Sequence, residues 1–246
     1  MRIALISDIH ANLPALEACL AAAARLQVEK LALLGDFVGY GPDPEAVINR
    51  VRPLVEAGAI AVLGNHDMAV LKPTRDMNAT AAEAIAWTRG QLSEASKSFL
   101  AVLPFEVRSD DVLYVHADAS DPAAWHYVTD GETARASLAG SDAMLTFCGH
   151  VHVPAVYCLS ATGKMISHAP VQNVAMPLLA HRRWLAVIGS AGQPRDGNPA
   201  SSFAVYDTAA RSLVYRRAPY DVDSVAQHIR ALGLPDSLAA RLLEGR

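Results

Sequence analysis

Five short stretches carry residues able to bind a metal or move a proton. They are SDIH at 7–10, GD at 35–36, GNHD at 64–67, VH at 115–116 and CGHVHVP at 148–154. The last is the most specific. Residues i and i+2 of an extended segment face one side, so the imidazoles of His150 and His152 can reach a common site. The other four are weaker alone. Asp8-x-His10 could be a turn or a helix cap, Asp36 could cap a turn, and Asn65 suits the left-handed backbone of a turn. His116 alone could be a hydrogen-bonded structural residue. Jointly they offer four His, two Asp and one Asn: His10, His116, His150, His152, Asp8, Asp36 and Asn65. Mixed imidazole and carboxylate ligands suit Mn, Fe, Zn or Ni. Seven side chains exceed what one tetrahedral zinc takes, so two divalent metal ions sharing a bridging carboxylate fit better. Two such ions outcharge two aspartates and a bridging hydroxide. The residual positive charge favours a phosphate, and ions about 3.5–4 Å apart can clamp a phosphoryl group.

These groups meet only if the fold gathers strand ends. Residues 2–7 read as a buried strand, 13–26 as a helix, 29–34 as a second strand and 59–63 as a third. Between the last two, 42–58 reads as a helix with Asp43 at its N-cap and Pro44 at its first position. This alternation predicts βαβ units with a parallel sheet. Each predicted strand ends at one of the stretches above, and in open α/β sheets the strands' carboxyl ends border the ligand crevice. Residues 78–97 predict one long helix. From about 105 the chain becomes a series of short β-rich runs (EVR, VLYVH, AMLTF, AVYCL, WLAVIG, SFAVYD, SLVYRRA), expected to pair mostly antiparallel. The tail from Asp221 to Arg246 returns to helical spacing.

The 246 residues show no linker, repeat or low-complexity tract, which predicts a single domain over 1–246 with a large two-sheet core. A net charge of −4 without a basic stripe argues against a nucleic-acid polymer as partner, though not against a small anionic substrate. Three cysteines without paired spacing argue against a disulfide framework and for a reducing compartment. The opening apolar run is too short for a signal-peptide core, and no run approaches the ~18 residues of a membrane span. A cytoplasmic protein with no membrane partner is expected.

In this order, SDIH (7–10), GDFVGYG (35–41), GNHD (64–67), VH (115–116) and GHVH (149–152) resemble the motifs of the calcineurin-like metallophosphoesterases. GSAGQPRDG at 189–197 resembles a later segment of small bacterial members. The resemblance implies an α/β fold, a four-layer α-β-β-α sandwich of two mixed sheets flanked by helices. It implies a dimetal site in which Asp8, His10 and His152 bind one ion, Asn65, His116 and His150 bind the other, and Asp36 bridges them. It further implies hydrolysis of a phosphomonoester or phosphodiester, of a small or nucleotide substrate, by a metal-bridging hydroxide. His66 would then be the general acid, since imidazole titrates near operating pH. The Ser/Thr protein phosphatase branch carries Asp and Arg where this chain has Gly39 and Tyr40. The residue that orients the catalytic His there is therefore absent here, which argues against a phosphoprotein substrate.

Other residues stay open at this level. Asn12 could touch substrate or cap the following helix. Arg195 could bind phosphate with its planar fork or sit in an ordinary loop. Trp125 and His126 could line the cleft or pack at the surface. Cys19 and Cys148 are expected to pack as small apolar groups. The stretches 68–80, 118–130 and 169–181 carry no motif that reveals a substrate. A dinucleoside polyphosphate hydrolase and a non-catalytic metal-binding scaffold of the same fold are the alternative readings.

Overall fold

A computed structural model of the chain describes residues 1–72 and 77–246; part of the stretch 68–80 thus lies outside the described residues. β1 (Arg2–Ile6) leads into α1 (Leu13–Arg25), then β2 (Lys30–Leu33), α2 (Pro44–Glu56) and the very short β3 (Ile60–Ala61). β1, β2 and β3 are parallel, and β1 is buried from its second residue on, as a strand covered on both faces should be. Asp43 stands at the start of α2, but its side chain makes no capping hydrogen bond.

α3 (Asn65–Leu71) begins inside GNHD. The single helix expected over 78–97 is two, α4 (Ala79–Gln91) and α5 (Glu94–Ala101). Ser93 separates them: its hydroxyl oxygen accepts from Ser96 N at 3.1 Å and so caps α5. A capping serine competes with helix continuation and won here over the run of helix-forming residues.

The remaining strands are β4 (Glu106–Ser109), β5 (Val112–Val115), β6 (Leu145–Cys148), β7 (Ala155–Leu159), β8 (Met165–His168), β9 (Met176–Pro177), β10 (Arg183–Val187), β11 (Ser201–Asp207) and β12 (Ser212–Ala218). α6 (Gly131–Ala139) lies between β5 and β6, and α7 (Val222–Ala231) and α8 (Asp236–Glu244) close the chain. The strands form two six-stranded sheets, β3-β2-β1-β11-β12-β9 and β4-β5-β6-β10-β7-β8. As expected, most of these strands pair antiparallel; the exceptions are β5 with β6 and β6 with β10, which run parallel. For β5 and β6 the physical reason is α6, a helical crossover that returns the chain to the same end of the sheet.

Apolar side chains alternate between faces and build three layers of core. Ile3, Leu5 and Leu34 of the first sheet meet Tyr114, Phe147 and Trp184 of the second in a sheet-on-sheet core. The outer face of the first sheet packs Ile6, Leu33 and Phe203 against Leu16 and Ile48 from α1 and α2. The outer face of the second packs Leu113 and Leu185 against Ala134 and Leu138 of α6. The result is the expected α-β-β-α sandwich. Among the described residues no helix is long and apolar enough to cross a membrane.

Candidate metal centre

The residues just past β1, β2, β3, β5 and β6 converge. Their ligand atoms form three overlapping groups, Asp8–His10–His152, His10–Asp36–His66 and Asp36–His116–His150, with all atoms of a group within 4.8 Å of one another. Backbone hydrogen bonds stitch the motifs together. Asp8 N donates to Gly35 O (3.1 Å), His10 N to Asp36 O (2.8 Å) and Ala11 N to Phe37 O (2.8 Å). His150 N donates to Asp8 Oδ2 (3.0 Å), and His66 N to Asp36 Oδ1 (2.8 Å). Each aspartate thus also holds the backbone of another motif.

This stitching maintains unusual backbone. Asp8, His10, Asp36, His150 and His152 all have positive φ, between 48° and 66°. For residues with a Cβ such conformations cost about 1–3 kcal/mol each and persist only where the surroundings impose them. Gly149 allows a close approach: a Cβ there would collide with Ser7 Oγ and Asp8 Oδ2. Only glycine lets the end of β6 reach the end of β1.

The imidazoles are aimed. His116 Nδ1 donates to Leu34 O (2.7 Å), His152 Nδ1 to Gln193 O (2.6 Å) and His10 Nδ1 faces Val38 O (3.3 Å). A carbonyl on Nδ1 fixes the tautomer and presents the Nε2 lone pair inward, the usual support for a metal-binding His. His10 Nε2 then lies 3.0 Å from His152 Nε2, two lone pairs facing each other. Asp36 Oδ2 sits between His10 Nε2 (3.6 Å) and His116 Nε2 (3.4 Å). Asn65 Oδ1 is 3.1 Å from His116 Nε2, and His152 Nε2 is 3.2 Å from Asp8 Oδ1. Buried His150 Nε2 has no hydrogen-bond partner among the described residues. Opposed lone pairs and an orphaned nitrogen are what a cation satisfies, so the donor set fits metal binding.

The electrostatics agree. Burial alone would raise both aspartates, but His152 beside Asp8 and His116 beside Asp36 hold them below the usual carboxylate range. Burial lowers His10 well below its ordinary value, and lowers His150 to about 3. Two carboxylates and two neutral imidazoles are the forms that bind metal. At His116 burial acts downward, yet the Asp36 carboxylate outweighs it and raises the pKa to about 9. His116 must therefore shed a proton when a cation binds.

Around this centre the other named residues separate. His66 is buried, and burial, opposed by Asp36, lowers its pKa to about 4. Asp67 turns its carboxylate to Val38 N (3.1 Å) and Gly64 N (3.0 Å), not to the His66 ring. Asn12 caps α1: its Oδ1 accepts from Ala15 N, and its Nδ2 donates to Gly192 O and Tyr220 Oη. Arg195 lies beside the centre, with its guanidinium 5.9 Å from the Tyr40 ring centroid and its buried Nε unpartnered among the described residues. Trp125 meets the His116 ring edge-on at 5.8 Å, while His126 is exposed. Cys148 is buried in the outer core of the second sheet, away from the ligand groups. Sequence reasoning missed Tyr127, which stacks on His150 at 4.1 Å, and Tyr40, 4.7 Å from His10. Tyr40 stands inside GDFVGYG, where the sequence marked only a departure from another branch, and Tyr127 stands in no motif.

Comparison with known proteins decides the family. The model of the calcineurin-like phosphoesterase superfamily domain matches residues 1–211. The chain belongs to this superfamily. A metallophosphoesterase from Sphaerobacter thermophilus is 35% identical and superposes with a TM-score of 0.88, over 100% of this chain and 99% of that one. An uncharacterized protein of Methanocaldococcus jannaschii is 33% identical over 99% of this chain and 98% of its own length. A hypothetical protein from Pyrococcus horikoshii shares the fold, with 17% identity, a TM-score of 0.81 and coverage of 100% and 98%. The convergent His and Asp residues all lie within the span that the family model matches.

Proposed function

We propose that this chain hydrolyses a phosphomonoester or phosphodiester of a small or nucleotide substrate with the help of two divalent ions. Asp8, His10 and His152 would hold one ion, Asn65, His116 and His150 the other, and Asp36 would be shared. The observation that carries this reading is the placement of Asp36 Oδ2 between His10 Nε2 and His116 Nε2. A carboxylate oxygen so placed can serve both halves of a centre. Bound there, the ions would neutralise phosphate charge and supply a nucleophilic oxygen.

The chain's own residues have the remaining tasks. Arg195 stands beside the centre with an unpaired buried Nε, and its planar fork suits phosphate oxygens. Asn65, whose Oδ1 faces His116 Nε2, would contact the same phosphate through its amide nitrogen. His66 would give its proton to the departing ester oxygen. Its pKa of about 4 in the free protein means that it takes up that proton efficiently only beside an anionic phosphate, which favours imidazolium. Substrate binding and acid activation are thus linked.

A screen with bis(p-nitrophenyl) phosphate, aryl phosphomonoesters and nucleotides, under Mn²⁺, Zn²⁺, Ni²⁺ and Fe²⁺, tests the reading. Turnover is expected with at least one ion. On esters with a poor leaving group, such as phenyl phosphates and nucleotides, His66→Ala should retain metal and lose ~10²–10⁴ in kcat, the usual share of general acid catalysis. Undiminished turnover in that variant would remove His66 from the mechanism.

A further inference from the structure

We propose that Tyr40 is the positioning residue for His66, with the C-terminal helix pair as its support. The inference rests on the reading of His66 as proton donor. A hydrogen bond to one ring nitrogen ordinarily fixes the plane of a working histidine, as the carbonyls do for His10, His116 and His152. His66 lacks this. Its Nδ1 is buried without a partner among the described residues, and the neighbouring Asp67 carboxylate is spent on Val38 N and Gly64 N. Packing has to hold the ring instead.

The packing forms a slot. The Tyr40 ring centroid is 4.4 Å from that of His66, tilted by 55°. His10 meets His66 edge-on at 4.8 Å. Gly39 closes the third side, where a Cβ would stand 2.5 Å from His66 Nδ1 and 3.1 Å from its Cγ. The slot is open only because residue 39 has no side chain, and it is narrow only because residue 40 is aromatic.

Tyr40 is itself held in place. It is 7% exposed, has a φ of 65° and carries the Arg195 guanidinium near its ring. Behind it, Val225 and Ile229 of α7 and Leu238 and Leu242 of α8 belong to the same apolar cluster. Ile229 and Leu242 also share a recess with His10, Asn12, Tyr40 and Gln193. Both helices lie beyond residue 211, where the family match ends. A segment outside the matched domain thus reaches the proton donor through one tyrosine.

Leaving-group dependence tests this. A p-nitrophenolate departs with little help from an acid, whereas a phenolate needs its proton. With p-nitrophenyl and phenyl esters of the same phosphate, Tyr40→Leu should lose only a few-fold in kcat on the first. On the second it should lose ~10–10², the scale of a displaced catalytic group, with KM and bound metal unchanged. Tyr40→Phe, which keeps the ring, should restore most of the rate. In Zn²⁺-loaded protein the His66 ring resonances, assigned by their loss in His66→Ala, should shift in Tyr40→Leu and stay in Tyr40→Phe. Equal losses on both esters, or a Phe variant as poor as the Leu variant, overturn the proposal. If His66→Ala itself shows no leaving-group dependence, the proton-donor reading fails and takes the proposal with it. If His66→Ala shows it and Tyr40→Leu does not, the positioning claim alone fails.

Discussion

His10, His66 and His150 are all buried and held neutral, which ties stability to pH. Burial lowers His66 to about 4 and His150 to about 3, and His10 well below its ordinary value. Unfolded, each would titrate near ~6.5. Between these values the unfolded chain binds more protons, so stability rises with pH. The contribution is present above ~6.5 and is lost as pH falls through the folded values. Asp67 acts the other way, since burial and then Asp36 raise it to about 8, but three imidazoles outweigh one carboxyl. Thermal melts of cation-free protein should therefore show Tm falling as pH drops from about 6 to 4.5. A flat or rising Tm over that range would contradict the assignment of these histidines as buried and neutral. His116 reverses the sign on the alkaline side: with its folded value at about 9, its contribution is lost as pH rises through about 9.

At the scale of elements, the site exists because strand ends can approach closely. Gly149 is one such point, where β6 meets Ser7 and Asp8 beyond β1. Gly149→Ala should cost about 1–3 kcal/mol of stability, the usual price of overpacking, and weaken binding of the ion nearest Asp8. Denaturant unfolding and metal titration would check both, and a variant with unchanged affinity would argue that the strand ends tolerate separation. The convergence of these side chains was legible in the sequence because SDIH, GD, GNHD, VH and GHVH each follow an apolar run that forms a strand. The parts not legible have physical causes. The break between α4 and α5 rests on one capping serine inside a helix-forming run. The parallel pairing of β5 with β6 depends on α6, whose start is marked by Asp130 accepting from Glu132 N and Thr133 N. Tyr40 and Tyr127 reach the site by tertiary packing, which no local spacing encodes.

At the scale of the molecule, two sheets and their flanking helices deliver seven ligand-type side chains from five separated stretches to one edge. The buried centre carries two carboxylates, and the chain as a whole has a net charge of −4. If the substrate is anionic as proposed, its attraction would come from the bound ions and Arg195 rather than from the net charge. The account stands or falls on the shared ion site at Asp36. Elemental analysis of the protein, stripped and reloaded with Mn²⁺, measures it most directly, alongside hydrolysis of bis(p-nitrophenyl) phosphate. The wild-type chain should hold two ions and turn over, while Asp36→Asn should hold one or none and lose activity. Full occupancy and undiminished turnover in Asp36→Asn would contradict the central claim.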